Sequence, residues 1–139
     1  MSLIELAERK AHARAICLYL FAGLTVVILG LTFSAWHPSF FQGMWLGFTL
    51  VSTLYLSPLA TRLKSGPLAQ FLEDEVTREH RRSSSAIGFW AGLLAAAAML
   101  AVGSVPGLLS ASDSARIIFT AAIVVAQVRL ATLELQAAR

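Results

Sequence analysis

The chain has 139 residues, 57% of them hydrophobic and 14% charged, with a net charge of +3 at pH 7 and a single cysteine. Soluble globular domains run about 45–50% apolar and about 25% charged, so this chain has too little polar surface to cover a water-borne particle. A mean hydropathy of +0.70 excludes a disordered or collagen-like chain, and Cys17 alone cannot form an internal disulfide.

A hydrocarbon layer about 30 Å thick requires about 20 consecutive apolar residues of helix. Four runs meet that requirement, at 15–35, 40–60, 86–105 and 117–135. Each must be helical, because a lone strand in lipid leaves its backbone groups unpaired, and the alternating segments of a barrel are absent. The expectation is an all-α membrane protein: one membrane domain over 1–139, with four antiparallel transmembrane helices forming a four-helix bundle.

In chain order, Ser2 and Glu5 match a capping box, so residues 1–14 read as a helix running into the first span. That span is longer than the core of a cleaved signal peptide, about 7–15 residues, and no A-x-A-like site follows it, so it reads as retained. The turn Trp36-His37-Pro38-Ser39 joins the first two spans into a hairpin, with Trp36, Phe40, Phe41 and Trp45 as an interfacial aromatic rim. Pro58 marks the inner end of the second span. In the 61–85 loop, Gly66 and Pro67 open a helix in which Leu68, Phe71, Leu72 and Val76 form one apolar stripe. Its acids (Glu73, Asp74, Glu75) precede its bases (Arg78, Arg81, Arg82), so Asp74–Arg78 and Glu75–Arg78 can pair at about 0.2–0.5 kcal/mol each. This is a cytoplasmic amphipathic helix over 67–82, leading into the third span. The outer loop at 106–114 is rich in Ser, Gly and Pro, and Ser112 or Asp113 is the expected N-cap of the fourth span.

Short loops carry the positive-inside bias. Arg9, Lys10, Arg14, Arg62, Lys64, Arg78, Arg81, Arg82, Arg129 and Arg139 fall on one side and only Arg116 on the other. Both termini and the central loop are therefore expected in the cytoplasm. Topology explains the positive charge without nucleic acid, since no basic and aromatic patch is present. The string Asp74-Glu75-Val76-Thr77-Arg78, followed by Arg81-Arg82 and the Ala86-Ile87-Gly88-Phe89 start of a span, resembles small uncharacterised bacterial inner-membrane proteins, some encoded beside Xre-type regulators. That resemblance implies a bacterial inner-membrane address and no particular activity.

Few residues carry chemistry. His12, His37 and His80 are scattered, which argues against a metal site, and no cofactor motif is present. The chain resembles small four-helix multidrug transporters in size and span count, but it has no counterpart of their membrane-embedded acid between residues 15 and 35. Gln127 reads as a donor to a neighbouring helix, and Arg129 as snorkelling or pairing with Glu134 or a loop acid. Gly43-x-x-x-Gly47 and Gly88-x-x-x-Gly92 fit close helix packing, within the bundle or against a second copy or membrane partner. The reading is a non-enzymatic interaction, accessory or regulatory protein in contact with the bilayer. It presents Leu68, Phe71, Leu72, Asp74, Glu75, Arg78, Arg81 and Arg82 to a partner. The alternative is an oligomeric small-solute or lipid transporter with Gln127 in its pathway. A headgroup-level enzyme using Asp74, Glu75 or His80 lacks a nucleophile–base pair.

Overall fold

The computed structural model describes residues 3–34, 38–57, 75–103 and 109–137, and within them the chain is all helical. The four helices are α1 (Leu3–Thr32), α2 (Pro38–Leu56), α3 (Glu75–Gly103) and α4 (Ala111–Ala137). Three of them, α1, α3 and α4, are long and apolar enough to cross a membrane. The described part of α2 is shorter, 19 residues, and carries no charge, its polar side chains being Gln42, Thr49, Ser52, Thr53 and Tyr55 among others. The third apolar run and the charged stretch before it form one continuous helix from Glu75 onward. The 67–74 portion of the expected amphipathic helix lies outside the described residues.

At α4 the helix begins two or three residues earlier than expected, and the cap is Ser110. Its Oγ accepts the backbone N–H of Asp113 at 3.1 Å and donates to Asp113 Oδ2 at 2.6 Å. Ser112 and Asp113, the expected caps, lie inside the first turn. Ser110 satisfies one of the orphan donors at the helix start, and a carboxylate three residues on closes the reciprocal arrangement.

Packing is centred on α4, which contacts each of the other three helices, while α1 also packs on α2. The inward stripes are mostly small or polar, with Leu18, Ile28 and Trp45 as the large apolar members. On α1 they are Ala15, Leu18, Ala22, Thr25, Ile28 and Thr32; on α2, Trp45, Thr49 and Ser52; on α3, Arg81, Ser84, Gly88 and Gly92. Other large apolar side chains point outward instead, among them Leu20, Val27, Leu46, Leu50, Leu94 and Leu100, the last 79% exposed. In water such a shell would be one continuous sticky surface. Against lipid tails it costs nothing, since lipid gives apolar side chains no reason to turn inward and small residues bring backbones close enough for dispersion contact. The exterior therefore fits a membrane protein, as does the length of the helices.

Several buried hydroxyls are satisfied within their own helices. Thr25 Oγ1 donates to Phe21 O at 2.7 Å, Thr49 Oγ1 to Trp45 O at 2.9 Å, and Ser84 Oγ to His80 O at 2.6 Å. Each hydroxyl bonds back to the preceding turn, so it can be buried without asking anything of a neighbour. At Gly88 α3 and α4 approach closely: a Cβ there would lie 2.6 Å from Ala122 O and 2.7 Å from Ala126 Cβ. Gly92 faces Ala122 at 3.1 Å on the same measure. Among the described residues, Gly88-x-x-x-Gly92 packs against a neighbouring helix, whereas a Cβ at Gly43 or Gly47 would meet no atom within 4 Å.

Candidate functional site

The polar residues buried on α4 recur every seventh position: Thr120, Gln127 and Glu134. Seven residues are nearly two helical turns, so the three share one face. Each meets a different partner. Trp45 Nε1 donates to Thr120 Oγ1 at 2.9 Å, Gln127 Nε2 donates to Ser52 Oγ at 2.9 Å, and Arg14 Nε lies 3.4 Å from Glu134 Oε2. Trp45 and Ser52 are themselves seven residues apart on α2, so a second column of the same period meets the first. Trp45 therefore does not join the exposed aromatic rim; it turns inward, while Phe40 stays exposed with Phe41 edge-on at 5.5 Å. Trp36 lies outside the described residues.

Glu134 is 6% exposed, and its ion-pair partner is Arg14 of α1; among the described residues Arg129 Nε is buried without a hydrogen-bond partner. Taking a carboxylate out of water costs several kcal/mol, which a close cation offsets in part. Around the pair, Ala15, Leu18, Leu130 and Ala131 form an apolar cluster, with Tyr55, Leu56 and Leu135 packed on it. Tyr19 Oη and Thr132 Oγ1 are 2.9 Å apart. The Thr132 proton goes to Val128 O, so Tyr19 is the donor. Arg81 is buried with its guanidinium carbon 5.3 Å from the Tyr55 ring centroid, a cation–π contact that ties α3 to α2.

At the other end of α4, Arg116 is held within its own helix, by Asp113 Oδ1 at 3.1 Å and by Ser112 Oγ at 3.1 Å. About 27 Å of helix rise separates Arg116 from Glu134, close to the thickness of a hydrocarbon layer.

Of the residues expected to meet a partner, Leu68, Phe71, Leu72 and Asp74 lie outside the described residues, and nothing is described of the Glu75 side chain. Arg78 and Arg82 are exposed, one turn apart on α3, whereas Arg81 faces inward. Of the helix-packing residues, Gln127, Gly88 and Gly92 take part in contacts between helices, and Gly43 and Gly47 face out. Among the described residues, no three His, Cys, Asp or Glu side chains lie together. Sequence reasoning missed the partners of Gln127 and Glu134, namely Ser52 and Arg14.

A cavity of about 400 Å³ opens between α1 and α2 over α4, lined by Arg14, Cys17, Phe21, Val51, Tyr55 and Gln127, among others. Comparison with protein-family models, with curated proteins and with solved structures finds no match.

Proposed function

We propose that this chain is a small multi-pass protein of the bacterial inner membrane, crossing it four times with its helices antiparallel and both termini in the cytoplasm. It acts without catalysis of its own, as an accessory or regulatory protein that meets a membrane-protein partner or a second copy at its basic end. Several contacts support the arrangement. Arg14 of α1 meets Glu134 while Tyr19, further along, meets Thr132, so numbers rise in one helix as they fall in the other. Trp45–Thr120 and Ser52–Gln127 rise together along α2 and α4. Arg116, the one basic residue expected outside, is neutralised locally by Asp113.

The observation that carries the functional reading is a division of labour among charges. The polar groups on the inward face of α4 are engaged with α1 and α2, whereas Arg78 and Arg82 stand exposed at the start of α3. Exposed arginines flanking an apolar helix suit an acidic partner surface at the headgroup level. The test is a photo-crosslinking amino acid at position 82 in living cells. A discrete protein adduct that disappears with Arg78→Glu, while membrane insertion persists, is expected. Adducts to lipid alone would overturn the reading. Small-solute transport is the alternative that the Gln127-lined cavity favours. Flux into liposomes that is lost in Gln127→Leu would establish it.

A further inference from the structure

The cavity between α1 and α2 has a composition that selects its occupant, independently of any partner at the basic end. At about 400 Å³ it falls in the range of small-molecule sites, about 300–1,000 Å³. Its walls are mostly apolar, from Leu18, Phe21 and Val51, with Tyr55 alongside. Two polar groups, Ser52 and Gln127, sit in that lining, both 2% exposed and hydrogen-bonded to each other. That bond uses the Gln127 amide nitrogen. Oε1 of the same amide is buried with no hydrogen-bond partner among the described residues, a state that is unfavourable for a polar atom. Oε1 has essentially no exposed surface in this conformation, so a donor in the cavity reaches it only when the amide rotates and exchanges the Nε2–Ser52 bond for the new one.

Charge argues against an anion. Arg14 also lines the cavity, but its guanidinium is engaged by Glu134 at 3.4 Å, so the pair offers little net field. The unmet requirement is a single hydrogen-bond donor in apolar surroundings, about 10 Å of helix rise inside Glu134.

We propose that this cavity binds a small uncharged apolar molecule bearing one hydroxyl, of the alkylphenol type, which donates that hydroxyl to Gln127 Oε1 and lays its hydrocarbon against Leu18, Phe21 and Val51. The occupant is defined by this chemistry: one donor, no charge, and a body that lipid would otherwise dissolve.

Cys17 lines the same cavity, is exposed, and is the chain's one cysteine, which makes its alkylation by N-ethylmaleimide a direct reporter. The experiment uses the full chain in dioleoylphosphatidylcholine nanodiscs at pH 7. Three probes are 4-pentylphenol, pentylbenzene and 5-phenylpentanoate, with concentrations expressed per lipid. The phenol should slow alkylation saturably, and pentylbenzene should need about tenfold more for the same protection, the worth of one well-placed hydrogen bond. In Gln127→Leu the two should become equal. Val51→Trp, which fills the cavity from an exposed position on α2 and leaves the buried amide in place, should abolish ligand-dependent protection. Equal protection by phenol and pentylbenzene in the unaltered chain, strongest protection by the carboxylate, or none from any probe would each overturn the proposal.

Discussion

Replacing Gly88 by alanine puts one methyl group where α3 and α4 already touch. The added carbon would lie 2.6 Å from the Ala122 carbonyl oxygen and 2.7 Å from Ala126 Cβ, against about 3.5–4.0 Å for carbon atoms at their optimum. One obstacle is backbone, so no side-chain rotation relieves the clash and the helices must part by almost 1 Å at that level. Overpacking of this kind costs about 1–3 kcal/mol. The better helix propensity of alanine returns at most about 1 kcal/mol, leaving a net loss of about 1–2 kcal/mol. Gly92→Ala, at 3.1 Å from Ala122 Cβ, should cost less, and Gly43→Ala and Gly47→Ala, with nothing within 4 Å, should keep the propensity gain unopposed and stabilise by up to about 1 kcal/mol. Unfolding by SDS titration in mixed micelles, followed by helical circular dichroism, ranks all four. A Gly88→Ala chain as stable as Gly43→Ala would refute the packing argument.

Three further outcomes are expected. Arg14→Ala strands a buried carboxylate and should destabilise more than Glu134→Gln, by about 1–3 kcal/mol; a double-mutant cycle showing no coupling would remove the ion pair from the account. Trp45→Phe loses the donor to Thr120 and should cost about 0.5–1.5 kcal/mol in the same titration, with little further loss when Thr120→Val is added. In a Cys17→Ser background, cysteines placed at positions 37 and 80 should react with a membrane-impermeant maleimide from opposite faces of the membrane, and reaction from one face would dismantle the four-crossing arrangement.

Much of the helical content could be read in the residues, because a helix is the one structure that can bury a long apolar run in lipid. The ends were harder to read. Hydropathy marks where a helix is greasy, whereas its start is set by local hydrogen bonds, so Ser110 rather than Ser112 begins α4. Gln127 announced itself, since an amide deep in an apolar run demands a partner. Its partner did not, because serine can satisfy itself on its own helix and so leaves no trace of need. Arg14 and Glu134 are at opposite ends of the sequence, and no local pattern links them. The two glycine motifs look alike as strings, yet one is a close crossing and the other faces outward, a distinction that depends on helix rotation and that spacing alone does not encode.

The central place of α4 has a consequence for how the protein is made. Synthesis proceeds from the N-terminus, so α3 is finished before the helix that holds most of its inward face exists. At about 5–20 residues per second, that interval is a matter of seconds. During it Ser84, Gly88 and Gly92 have only lipid, or a chaperone of the membrane, for company. Assembly of these four helices therefore waits for α4, and a ribosome stalled before Ala111 would leave α3 without its main packing surface.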